Sequence, residues 1–142
     1  MQLRGISFQG ATEKNFSEIY ESAFVGHGAG HYQKAVLNMV RMLQFLEGNV
    51  DGPPHWVCTS HENCVFYDRD FLRFGDDEQD ESRVFTLSPS YWDLRDGFEI
   101  RVPIDLGHLT SSANIYFNTL ADAAQIVGEI ARREVTFASI RQ

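Results

Sequence analysis

Between His31 and Glu47 the chain reads HYQKAVLNMVRMLQFLE, and its apolar residues are too many for a single helical stripe. Val36, Met39, Val40, Leu43 and Leu46 recur at helical spacing and define one face, while Leu37 and Phe45 fall partly outside it. A helix that is apolar over most of its circumference is packed on several sides. It must lie centrally beneath a sheet, or a second subunit must cover the remainder. Twofold assembly is the commonest way to supply such a cover, so a homodimer is one expectation.

The stretch GNVDGPP then closes the helix, because Pro53 and Pro54 cannot join a helix interior. Downstream the apolar period shortens to that of strands, with segments at 55–60, 64–68, 83–88, 98–104 and 113–117. The fourth is the cleanest: Phe98, Ile100, Val102 and Ile104 alternate with Glu99, Arg101 and Pro103, which describes a strand covered on one face. Pro103 cannot donate to a ladder, so that end belongs at an edge or a bulge.

Upstream, QLRGISF reads as a short strand. TEKNFSEIYESAFV reads as a helix, with Phe16, Ile19, Tyr20 and Phe24 at helical steps and the Thr12 hydroxyl as its starting cap. GHGAG stops that helix, since glycine takes left-handed backbone at no steric cost, and forms a tight corner between helices.

After the strands, NTLADAAQIVGEIARR returns to helix, capped by Asn118 or Thr119. Asp122 suits its positive end and Arg132 and Arg133 its negative end, while Leu120, Ala123, Ala124, Val127, Ile130 and Ala131 face the sheet. EVTFASIR, residues 134–141, closes as a strand. The expected order is β-α-α-β-β-β-β-β-α-β. It defines an α+β fold whose largely antiparallel sheet of five to seven strands carries helices on one face. A length of 142 residues, with no repeat or linker, fits one domain spanning 1–142.

Charge narrows the partners. The net charge is −8, and between His61 and Glu81 eight acids stand against two arginines. An acidic surface lacks the cations that displace counterions from phosphates, so direct nucleic-acid binding is not expected. No stretch resembles a signal peptide or a membrane span, and two cysteines without an export signal suit a reducing compartment. The expectation is a soluble, cytoplasmic protein with no membrane partner and no cofactor.

Several stretches could carry chemistry. In HWVCTSHENCVFYD, Cys58, His61 and Cys64 stand at equal three-residue steps and could ligate a metal, with His27, His31 or His55 as the fourth ligand. A hairpin turning at His61 would instead set Cys58 opposite Cys64, Val57 opposite Val65 and Trp56 opposite Phe66. The thiols would then act as small apolar residues, and this simpler reading is preferred. In VGHGAGHYQK, Gly28, Gly30, His31 and Lys34 could present N–H groups and a cation to an anion at a helix start. Phosphate loops ordinarily follow a strand, and this one follows a helix. His27 and His31 stand four apart, but the glycines between them interrupt the helix that would align them.

Asp76, Asp77, Glu78, Asp80 and Glu81 lack the spacing of a calcium loop and suit a solvated, electrostatic contact. Tyr91, Trp92 and Arg95 have the composition of an interface hot spot.

No nucleophile elbow, zinc-protease motif or phosphate-binding lysine loop occurs. The leading expectation is a small acidic binding protein acting through protein–protein contact. One form is an inhibitor or antagonist of the immunity or anti-defence type, whose acidic face occupies a basic surface of its target. The alternatives are a small hydrolase or transferase using His27, His31 or His61 beside the glycine-rich turn, and a small-ligand or nucleotide-binding module.

Overall fold

The computed structural model describes residues 1–7, 10–26, 28, 30–70, 83–89, 97–103, 110–116 and 120–133. In chain order the elements are β1 (Leu3–Ser7), β2 (Gly10–Asn15), α1 (Phe16–Phe24), α2 (Gly30–Asn49), β3 (His55–Ser60), β4 (Asn63–Tyr67), β5 (Arg83–Pro89), β6 (Gly97–Pro103), β7 (Thr110–Tyr116) and α3 (Leu120–Ala131). The strands form one sheet in the order β2-β1-β3-β4-β5-β6-β7. Every neighbouring pair is antiparallel except β1 and β3, which run parallel. Parallel neighbours need a crossover, and the chain between them supplies one as β2, α1 and α2. The architecture is α+β, as the periodicities imply.

Helix α2 earns its apolar breadth by being central. It packs against α1, α3 and β5. Val36, Met39, Met42, Leu43 and Leu46 are fully buried, and Ala35 and Val40 nearly so. Each large side chain so buried contributes roughly 1.5–3 kcal/mol, which outweighs the few tenths separating helix propensities. The reason for invoking a second subunit therefore contracts to one residue. Leu37, 40% exposed, is the exposed large apolar side chain among the described residues.

The core lies between these helices and one sheet face. Phe66 of β4 and Phe85 of β5 are register partners whose rings stack at 4.3 Å and 15°. Tyr20 bridges Phe16 and Phe24 within α1. From α3, Ala123, Ala124, Val127, Ile130 and Ala131 are buried against this core, and Leu120 packs on it. A smaller cluster occupies the opposite sheet face, where Ile6, Trp56 and Cys58 pack on Val65 and Tyr67.

Two expectations change at the N-terminal side. Residues 10–15 form β2 rather than the first turns of a helix, and α1 begins at Phe16. Thr12 is therefore not its cap, and the Asn15 side chain makes no capping bond either. Glu47 of α2 does that work from thirty residues away: Ser17 donates its N–H to Glu47 Oε1 at 3.0 Å and its hydroxyl to Oε2 at 2.7 Å. Pro103 ends β6 beyond the β5 ladder, whose register stops at Arg101, so its missing N–H is needed by no partner there. The expected strand at 134–141 and the caps Asn118 and Thr119 lie outside the described residues. No helix among those described is long and apolar enough to cross a membrane.

Candidate functional site

The hairpin that carries the Cys58–His61–Cys64 spacing is built by a two-residue turn. Ser60 pairs with Asn63, leaving His61 and Glu62 at the tip, and His61 takes φ 54°. A positive φ at the first central position matches the twist of the flanking strands. The expected pairing, centred on His61 alone, would have left one residue to reverse the chain. Tight hairpins use two, and the extra residue shifts the register by one.

That shift moves each side chain relative to its expected partner. Cys58 faces Val65, Thr59 faces Cys64, Val57 faces Phe66 and Trp56 faces Tyr67. Cys58 thus belongs to the small cluster with Val65 and Tyr67, and Cys64 to the core on the helix side. With side chains leaving opposite sheet faces, the two thiols can share neither a metal ion nor a disulfide without backbone movement. Both are free, and no three His, Cys, Asp or Glu side chains gather as a metal site among the described residues. Burial drives the Cys64 thiol well above its usual range, reinforced by Cys58. Burial also raises Cys58, against the opposing pull of the Tyr67 hydroxyl and Arg83.

The structure links the hairpin tip to the glycine-rich corner through Glu62. The Tyr20 hydroxyl donates to the Glu62 carbonyl at 2.8 Å, which fastens α1 to the hairpin tip. At the start of α2, burial raises the Tyr32 hydroxyl's pKa, and the Glu62 carboxylate adds to the rise. Gly26 and Gly28 take φ +90° and +88° to make the corner, and Gln33 Oε1 accepts the Gly26 N–H at 2.8 Å. A Cβ on Gly28 would come within 2.8 Å of the Tyr32 ring, so glycine is needed there for space as well as conformation. Gly30, His31 and Lys34 are exposed at the same corner. His27 lies outside the described residues.

The opposite end of the sheet holds a site that residue spacing did not single out. His55 opens β3 on the helix side and is only 1% exposed. Its N–H bonds the Gln2 carbonyl at 2.9 Å, and its Nδ1 lies 2.9 Å from the Pro53 carbonyl. A carbonyl can only accept, so Nδ1 carries the proton in the neutral ring and Nε2 presents a lone pair. That Nε2 is buried without a hydrogen-bond partner among the described residues. Burial lowers the His55 pKa; the carbonyls of Pro53 and Ala131 and the Asp68 carboxylate oppose the shift, and Arg133 adds to it. Arg133 Nη2 holds Asp68 Oδ2 at 3.1 Å across the same corner. The signal was present in the sequence, because the alternation that buries Val57 puts residue 55 on the same face.

The acidic stretch has a defined root. Tyr67 pairs with Arg83, so the connection 68–82 leaves and returns at the His55 end of the sheet. It holds seven of the eight acids counted between His61 and Glu81; the eighth, Glu62, sits at the far hairpin tip. Asp76, Asp77, Glu78, Asp80 and Glu81, with Tyr91, Trp92 and Arg95, lie outside the described residues. The fold thus defines the class, an α+β domain with helices on one face of a mostly antiparallel sheet. No protein-family model matches the chain, and neither the search of curated proteins nor that of solved structures finds a match.

Proposed function

We propose that this chain is a small acidic binding protein that acts by contact with another protein. One observation carries the reading: the 68–82 connection concentrates a net charge of −5 between two strand ends that are register partners. A connection of this length between adjacent strands is longer than a hairpin needs, and long connections of that kind commonly serve binding. Charge of one sign within a single segment speeds encounter with an oppositely charged surface and selects among partners. In its specific form the protein is an antagonist of the immunity or anti-defence type, whose acidic face occupies a basic surface on its target.

Capture from a native extract at low salt and at 0.5 M salt tests this. A partner retained at low salt and released at high salt supports the reading, because exposed charges are screened within about 10 Å at 0.1 M. Equal retention at both removes the electrostatic form.

A second reading rests on the corner where Gly28, Gly30, His31 and Lys34 are exposed and Tyr32 faces Glu62 of the hairpin turn, which suits a small enzyme or an anion-binding module. Thermal shift against nucleotides and inorganic phosphate separates the two. A ligand at a hundred times its dissociation constant stabilises by about 2.7 kcal/mol.

A further inference from the structure

We propose that β7 is a self-pairing edge, at which two copies of this chain join antiparallel into one continuous sheet. Among the described residues β7 pairs with β6 alone, in an unbroken register from Gly97–Tyr116 to Pro103–Thr110. The opposite edge, β2, carries Glu13 and Lys14 and an irregular register against β1. Charges, prolines and bulges are the devices that keep an edge from recruiting further strands. β7 reads TSSANIY and has none of them.

The prolines of the neighbouring strands fix which backbone groups of β7 face outward. Pro89 is the register partner of Phe98. Lacking an N–H, it suits the non-hydrogen-bonded position, and Phe98 then turns its N–H and C=O towards β7. Antiparallel alternation makes Phe98–Ile115, Ile100–Ala113 and Val102–Ser111 the hydrogen-bonded pairs. It leaves Pro103–Thr110 non-bonded, which agrees with the missing N–H of Pro103. Thr110, Ser112, Asn114 and Tyr116 therefore present their N–H and C=O groups away from β6. A second β7, related by a twofold axis at Ala113, sets Ser112 opposite the partner's Asn114 and Thr110 opposite the partner's Tyr116. Each of these pairs occurs twice, so all the outward groups are satisfied in about eight hydrogen bonds.

Charge selects a second copy as the occupant. The chain carries −8, so two copies repel over most of their surfaces, and near a twofold axis each charge meets its own kind. Residues 106–121, which contain β7, are the longest stretch of the chain without Asp, Glu, Lys or Arg. A basic partner gains nothing from that neutrality and finds its complement in the acidic connection. The chain's own residues 134–142 fit the edge less well. They start from Arg133, which is tied to Asp68 just past the end of β4. Three inter-strand steps, roughly 14 Å, separate β4 from β7, so about four residues would be used in crossing and too few would remain to match β7.

Sedimentation equilibrium of the intact chain from about 1 μM to about 1 mM, the range of weak contacts, tests the joint. A monomer–dimer equilibrium is expected. Ser112→Lys combined with Asn114→Lys sets like charges opposite each other and should weaken dimerisation about tenfold or more. Ser112→Lys combined with Asn114→Glu sets opposite charges there and should restore it, which a strand merely damaged by lysine would not do. Amide exchange of the unaltered protein reads the same edge. Ser111 and Ala113 should be protected at every concentration, and Ser112 and Asn114 only as dimer forms. A monomer throughout the range, a dimer indifferent to the lysine pair, or no recovery with the Lys–Glu pair would each overturn the proposal. So would protection of Ser112 and Asn114 that is independent of concentration, which would assign the edge to the chain's own residues. Should the variants fail to fold, sedimentation and exchange of the unaltered protein still decide it.

Discussion

At the scale of single residues, the two cysteines show how one position of register governs chemistry. Cys58 is half-buried on one sheet face, while Cys64 is completely buried on the other. A thiol-specific reagent at pH 8 should therefore modify Cys58 in the native protein. Cys64 should react at least about a hundredfold more slowly and become available on unfolding, since thiolate fraction and access both set the rate. Two equally fast thiols would contradict the hairpin register. The existence of this hairpin could be read from alternating apolar residues. Its register could not, because it depends on whether one residue or two reverse the chain at His61. The glycine corner permits a second comparison. Gly26 and Gly28 both have strongly positive φ, but a Cβ meets nothing within 4 Å at Gly26 and the Tyr32 ring at 2.8 Å at Gly28. Gly26→Ala should cost about 1–2 kcal/mol from backbone conformation alone. Gly28→Ala should cost about 1 kcal/mol more, because the ring must also give way. Urea unfolding of the two variants measures the difference.

At the scale of elements, two helix contacts depend on residues far apart in sequence. The cap of α1 is Glu47, whose carboxylate accepts from both the N–H and the hydroxyl of Ser17 and lies where a helix start favours negative charge. Glu47→Ala should destabilise by about 1–2 kcal/mol, the range of a lost cap, and Glu47→Gln by less because one acceptor survives. Ser17→Ala measured in the same cycle should show coupling above about 0.5 kcal/mol, and strict additivity would remove Glu47 from this role. The sequence pattern pointed to Thr12 because capping is ordinarily local; a carboxylate arriving from another helix leaves no local trace. For the same reason β2 was not legible. GATEKN has no apolar alternation, and its strand state comes from pairing along one side with β1. Its charged residues suit an edge that must not recruit further strands.

The second contact is at Gly128 of α3. Alanine there gains about 0.8–1.0 kcal/mol of helix propensity, but its Cβ would stand 2.5 Å from Val50 Cγ1. Overpacking costs about 1–3 kcal/mol, so Gly128→Ala should be net destabilising, and adding Val50→Ala should recover much of the loss by making room. Thermal unfolding of the single and double variants reads this directly.

At the scale of the whole molecule, what could be read in advance was what is local: element periodicities, the stops at Gly26–Gly30 and Pro53–Pro54, and the helix too apolar for one face. What could not be read was set by pairing at a distance. The parallel alignment of β1 with β3 closes the His55 corner, and the return of β5 beside β4 gathers the acidic connection at the same end. This topology also grades stability across the sheet. Strands β4 and β5 are paired on both sides and share the fully buried Phe66–Phe85 stack. By contrast, β2 pairs with β1 along one side and carries an irregular register between Arg4 and Ile6. Opening β2 exposes one ladder, whereas opening β4 exposes two ladders and the stacked rings. Amide exchange at neutral pH should therefore give β4 and β5 opening free energies close to the global value from urea, and β2 one several kcal/mol lower. Phe85→Ala should cost about 3–5 kcal/mol, a large share of the 5–15 kcal/mol that holds such a chain folded, and should lower the global value and the β4–β5 protection together. Equal protection in β2 and β4, or a Phe85→Ala loss confined to one strand, would mean that the central pair does not organise the sheet.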